Sequence, residues 1–162
     1  MSQLVATFFY VGYLKPAPGT WGSLAALPAA SLILIIAGPY GLSFMLLVAF
    51  VAGYWATVLQ TRGKTDHDPS EIVIDEVAGQ WIALLPVAFG AANNDVSYLA
   101  LWPGWVAAFV LFRLFDITKP WIIGWADRRN DALGVMLDDV IAGVFAAIGV
   151  GVLAALYHVV LV

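Results

Sequence analysis

The sequence contains no cysteine, and its only histidines are His67 and His158. Without cysteine there is no thiol nucleophile, no thiolate metal site and no disulfide, and the redox compartment stays open. Two histidines far apart do not suit a soft-metal centre, or a phosphohistidine scheme built on spaced His and Arg pairs. Charge is also scarce. Asp, Glu, Lys and Arg make up 11% of the 162 residues, where a soluble domain carries about 25%. The net charge of −4 argues against a nucleic-acid partner. No basic residue precedes Lys15, so a cleavable signal peptide with a charged n-region is not expected.

What fills the chain instead is apolar. Hydrophobic residues account for 62% of it, and the mean hydropathy is +0.91. The expected class is an all-α, polytopic membrane helical bundle, with residues 1–162 as a single membrane-embedded domain. Residues 4–14 are aromatic and too short to span, so a short amphipathic or re-entrant N-terminal helix is expected there. Lys15 to Ser23 holds two prolines and two glycines and reads as a loop, with Ser23 as N-cap of the next helix. About five membrane helices follow, at 24–37, 42–60, 71–90, 98–115 and 135–162. Pro28 falls in the early turns of the first, and Gly38 to Gly41 forms a tight turn. Pro69 and Ser70 open the third. A short amphipathic helix is expected around Trp121 to Arg129.

Five alternating spans make the topology specific. With 15–23 in the cytoplasm, all seven Lys and Arg residues fall on that side, and Asp95 alone among the acids falls outside. Helix direction then brings four distant polar clusters to one depth: Gly19 to Ser23, Glu71 to Glu76, Arg113 to Asp116, and Asp138 with Asp139. Ionisable groups at the edge of a hydrocarbon layer are costly and usually functional. On a helix, Glu71 and Asp75 would share a face. A faint internal echo joins Ile74 to Gly79 and Leu137 to Gly143, but the gap from the first acid differs by one residue, so it reads as chance.

Glu71, Asp75, Glu76, Asp116, Asp138 and Asp139 would repel one another unless a cation offset them. Their hard oxygens suit Mg²⁺, Mn²⁺ or Ca²⁺. Lys15, Arg113 and Lys119 could clamp a phosphate, and the Gly19 to Ser23 turn could add backbone N–H donors. Acids for a metal, bases for an anion and an apolar wall suggest a phospholipid head-group reaction. Asp66 and Asp68 read as a solvated loop, with His67 exposed between them. A competing reading is a small ion-coupled membrane transporter or channel subunit, which predicts charge near the bilayer midplane, not at one mouth.

Four blocks carry a family likeness. Gly12-Tyr-Leu-Lys-Pro-Ala-Pro-Gly-Thr-Trp-Gly-Ser23, Glu71-Ile-Val-Ile-Asp-Glu-Val-Ala-Gly79, Phe112-Arg-Leu-Phe-Asp-Ile-Thr-Lys-Pro-Trp121 and Met136-Leu-Asp-Asp-Val-Ile-Ala-Gly143 resemble the phosphatidylglycerophosphatase A family, in its order and spacing. The resemblance implies a Mg²⁺-dependent phosphatase of the bacterial inner membrane. Its phospholipid substrate would be phosphatidylglycerophosphate and its products phosphatidylglycerol and phosphate. It also implies acids around a metal at Glu71, Asp75, Glu76, Asp116, Asp138 and Asp139, with Asp127 completing the site. Polar family positions match Thr20, Ser23, Arg113 and Lys119, where a phosphate role is inferred. The expected scheme holds Mg²⁺ on Glu71, Asp75, Asp138 and Asp139. A water activated by the metal or by a carboxylate such as Glu76 attacks phosphorus, and Arg113 and Lys119 offset charge. Asp75, Glu76, Asp116 and Asp139 are the catalytic candidates; Lys15, Thr20, Ser23, Arg113 and Lys119 are the substrate-binding ones.

Overall fold

The computed structural model describes residues 1–64, 69–129 and 131–161. Asp66, His67 and Asp68 lie outside them. Six helices occur in the order α1 (Ser2–Ala6), α2 (Pro18–Thr61), α3 (Ile74–Asn93), α4 (Trp102–Thr118), α5 (Ile122–Asp127) and α6 (Ala132–Leu161), and no strand is found among the described residues. Among the described residues, three stretches are long and apolar enough to cross a membrane: Pro18–Thr61, Tyr98–Thr118 and Ala132–Val159. The chain is therefore an all-α, multi-pass membrane protein.

α2 is not one rod. At Gly38 the backbone takes φ 65° and ψ −167°, a conformation essentially confined to glycine. A straight helix would put residues 26 and 49 about 35 Å apart. Trp81 of α3 lies near both. Its indole Nε1 donates to the Ala26 carbonyl at 2.9 Å, and its ring lines an apolar cavity together with Ala49 and Ala52. α2 thus folds back as a hairpin of two arms, residues 18–37 and 39–61. The bend lies beside the far part of α3, where the Tyr40 and Phe89 rings sit 5.4 Å apart. The expected Gly38 to Gly41 turn contracts to one residue, and Pro39 to Gly41 are already helical.

Helix starts also differ from expectation. α2 begins at Pro18, five residues before Ser23. Proline at the first helical position loses nothing, because its missing N–H would be unpaired there anyway. Ser23 is therefore no cap. It lies inside the helix, and its hydroxyl donates to the Gly19 carbonyl at 2.9 Å. Pro28 consequently sits in the helix interior, not in its early turns. α3 begins at Ile74, so Pro69 and Ser70 do not open it and Glu71 precedes it. The N-terminal segment holds this entry in place: the Val73 N–H donates to the Ala6 carbonyl at 2.9 Å. Phe8, Phe9 and Tyr10 all have positive φ and reverse the chain after α1, and Phe8 packs edge-on against Trp81.

α3 is the central helix. It packs on α2 and α6, and more lightly on α4. It is buried along most of its length, from Ile74 to Ala91. The outer helices show the reverse, with Leu32, Ile36, Phe44, Val110, Ile148 and Leu153 all exposed. That suits lipid outside and small residues inside. α3 and α6 cross where Gly79 meets Gly143: a Cβ on Gly143 would collide with the Gly79 carbonyl. α5 is short, with Ile123, Gly124 and Ala126 buried and Trp121, Ile122 and Trp125 exposed, as an interfacial helix requires. Before α6, Asp131 accepts the Gly134 N–H at 2.6 Å. The hydrogen bond from Arg129, and then that backbone bond, hold its carboxyl below the ordinary range.

Candidate functional site

The site is assembled at the helix ends that share one mouth of the bundle. Asp75 and Glu76 lie in the first turn of α3. Asp138 and Asp139 lie in the second turn of α6, and Asp116 in the last turn of α4. The crossing at Gly79 and Gly143 explains the convergence. Asp75 precedes Gly79 by four residues, and Asp139 precedes Gly143 by four. Each acid therefore projects one turn towards the mouth from the point where the backbones touch. The faint echo in the sequence, aligned on Asp139 and not on Asp138, is this pair of facing turns.

Carboxylate oxygens of Asp75, Glu76 and Asp139 all lie within 4.8 Å of one another, so the three can hold a metal ion. Asp139 also feels the charges of Asp116 and Asp138. Asp75, Asp116, Asp138 and Asp139 are buried. In each adjacent pair the first acid accepts from the backbone of the second. The Glu76 N–H donates to Asp75 Oδ1 at 3.0 Å, and the Asp139 N–H to Asp138 Oδ1 at 3.0 Å. Asp75 and Asp138 are thereby fixed in direction.

Two cations face these five acids. Arg113 Nη1 donates to Asp116 Oδ2 and lies 3.5 Å from the Ser23 hydroxyl. Lys119, at the left-handed C-cap of α4, bridges Asp127 of α5 and Asp138 of α6, the latter at 2.7 Å. Burial alone would push the Lys119 ammonium pKa down. The hydrogen bonds to Asp127 and Asp138 outweigh it and hold the pKa well above the ordinary lysine value. Five carboxylates against two cations leave an excess of negative charge that hard oxygen donors normally share with a divalent cation.

A cavity of about 360 Å³ opens beside this cluster. Gly19, Glu76, Arg113, Asp116 and Lys119 line it, and exposed Ile117 joins them. Gly19 is in the first turn of α2, where N–H groups have no helical partner. The Glu76 carboxylate packs so closely on it that a Cβ there would strike Oε1.

Among the expected metal ligands, the structure groups Asp75 with Asp139 and puts Glu76 in the third place. Asp138 is turned to Lys119. Glu71 is half-buried in the turn before α3 and lies outside the metal-capable group. Among the expected anion ligands, Arg113 and Lys119 line the cavity. Ser23 is fully buried behind Arg113, Thr20 is half-buried in the first turn of α2, and Lys15 is exposed away from the lining. Asp127 is tied to the cluster through Lys119. The sequence points to Gly19 only as part of a turn that offers backbone N–H donors; that its missing side chain makes room for Glu76 shows only in the packing of α2 on α3.

The profile of the family described as Phosphatidylglycerophosphatase A matches residues 4–154. A protein of Escherichia coli named Phosphatidylglycerophosphatase A is 37% identical over 147 residues, covering 90% of this chain and 78% of its own. One of the same name from Haemophilus influenzae is 36% identical, covering 90% and 84%. A Bacteroides thetaiotaomicron protein named Putative phosphatidylinositol-3-phosphatase is 36% identical over 159 residues, covering 92% and 91%. No solved structure matches significantly.

Proposed function

The chain belongs to the phosphatidylglycerophosphatase A family, and from that premise we propose that it hydrolyses the terminal phosphomonoester of phosphatidylglycerophosphate, giving phosphatidylglycerol and phosphate. The reaction takes place on the cytoplasmic face of a bacterial inner membrane. In this reading the two arms of α2 with α3, α4 and α6 are five passes, and the distribution of Lys and Arg supports the orientation. The observation that carries the reading is the Asp75–Glu76–Asp139 group, whose Glu76 lines a cavity together with Arg113, Lys119 and the exposed apolar Ile117. A polar head group and an acyl chain need that combination.

Asp75 and Asp139, with Glu76, would hold Mg²⁺, while Asp138 accepts from the Asp139 N–H and pairs with Lys119 beside them. When bound, Mg²⁺ supplies positive charge that offsets the phosphate oxygens. Arg113 and the free N–H groups at the start of α2 orient the phosphate. Glu76 takes a proton as a water oxygen bonds to phosphorus and the ester P–O bond breaks. The leaving alkoxide takes a proton from solvent in the open cavity. Lys119 and Arg113 offset charge during the transfer. Asp116 keeps the Arg113 guanidinium in place.

Purified protein should release phosphate from phosphatidylglycerophosphate with Mg²⁺ and stop in EDTA. Asp75→Asn should lower release by about 100-fold or more; near-full Mg²⁺-dependent release by that variant overturns the scheme. Phosphatidylinositol-3-phosphate, suggested by the name of the Bacteroides relative, is the comparison substrate and is expected to be the poorer one.

A further inference from the structure

One flank of the site holds polar atoms without a hydrogen-bond partner in the protein: Glu76 Oε2, Arg113 Nε, and both ends of the Gln80 carboxamide. Gln80 is fully buried in α3, one turn deeper than Glu76. Positions four apart on a helix share a face, with Cβ atoms about 5–6 Å apart. Arg113 adjoins Glu76 across the same flank: a Cβ built on Gly19 would touch Glu76 Oε1 and lie 3.2 Å from Arg113 Nη1. A buried glutamine in a membrane bundle commonly joins two helices by an interhelical hydrogen bond. Gln80 makes none.

The partnerless atoms are complementary. Glu76 Oε2 accepts, Arg113 Nε donates, and the carboxamide does both. One water has two donor hydrogens and two acceptor lone pairs, and matches all four atoms. We propose that Gln80 is a positioning residue of the candidate site: with Glu76 and Arg113 it holds one bridging water that fixes the carboxylate and the guanidinium on the cavity wall. Gln80 is not in the cavity lining, so it acts through those two groups and does not touch substrate. The inference rests on the phosphatase reading of the site and adds a residue to it.

Gln80→Met keeps the side-chain length and removes both polar ends. It should lower kcat for phosphate release about tenfold or more. KM should stay within about twofold, because Asp116 still anchors the Arg113 Nη1 end of the guanidinium, and the thermal midpoint should not fall. Wild-type kcat, or a loss of kcat that tracks a lower midpoint, overturns the proposal. A second measurement needs no activity. Thermal midpoints in detergent are compared for wild type, Gln80→Met, Glu76→Gln and the double variant. The shared water makes the two changes non-additive, and additive shifts overturn it. Absence of phosphate release from wild type would remove the phosphatase reading, and the midpoint cycle would still decide the role of Gln80.

Discussion

At Gly19 the absence of a side chain makes room for a group of the proposed site. A methyl group there would meet the Glu76 carboxylate and come close to Arg113. Both are the far ends of flexible side chains, so the fold can absorb the intrusion and the site cannot. Gly19→Ala should therefore lower kcat about 10–100-fold, as displaced catalytic groups do. Its thermal midpoint should stay within about 2 °C of wild type, and a large drop would show that Gly19 serves packing. The acids themselves were legible in the sequence, since charge is rare enough in this chain for each to stand out. Their partners were not. That Asp138 turns to Lys119 while Glu76 joins Asp75 and Asp139 depends on helix rotation, which hydropathy does not encode.

The helices show how starts and bends are set by packing. Ser23 has the chemistry of an N-cap, yet α2 starts at Pro18. Proline fixes φ where the helix begins, and the serine hydroxyl is satisfied by the Gly19 carbonyl. Glu71 misses the face of Asp75 because Val73 gives its N–H to Ala6 and delays the helix to Ile74. At Gly38 the demand is on the backbone alone: a Cβ there would have only the Tyr98 hydroxyl at 3.5 Å, but φ 65° with ψ −167° excludes it. Gly38→Ala should lose about 1–3 kcal/mol of stability. Gly90→Ala, in open space within α3, should gain up to about 1 kcal/mol. Thermal midpoints of the two variants in one detergent test the pair, and equal shifts would refute the strained bend.

For the whole molecule, the arrangement is a buried central helix with its acids at one mouth and a shell of lipid-facing helices. The five-pass proposal places residues 62 and 97 on opposite sides of the membrane, since they flank α3. Lack of native cysteine makes this easy to test. Ser97→Cys should react with a membrane-impermeant maleimide on intact cells, whereas Arg62→Cys should react only after permeabilisation. Both residues are exposed. The reverse pattern would invert the orientation, and labelling of both from one side would remove the α3 crossing.

The sequence by itself determined the membrane class, the all-α character, the family likeness and the one-sided grouping of acids. Those follow from composition and from charges too costly to scatter through lipid. Only the tertiary structure decided which acids share a site. Asp75 and Asp139 meet because Gly79 and Gly143 let α3 and α6 touch one turn below them. Gly19 opens the space that Glu76 enters, and Lys119 ties α4 to α5 and α6. Helix rotation and close backbone contact come from packing between distant segments, and a linear pattern of apolar and charged residues does not specify them.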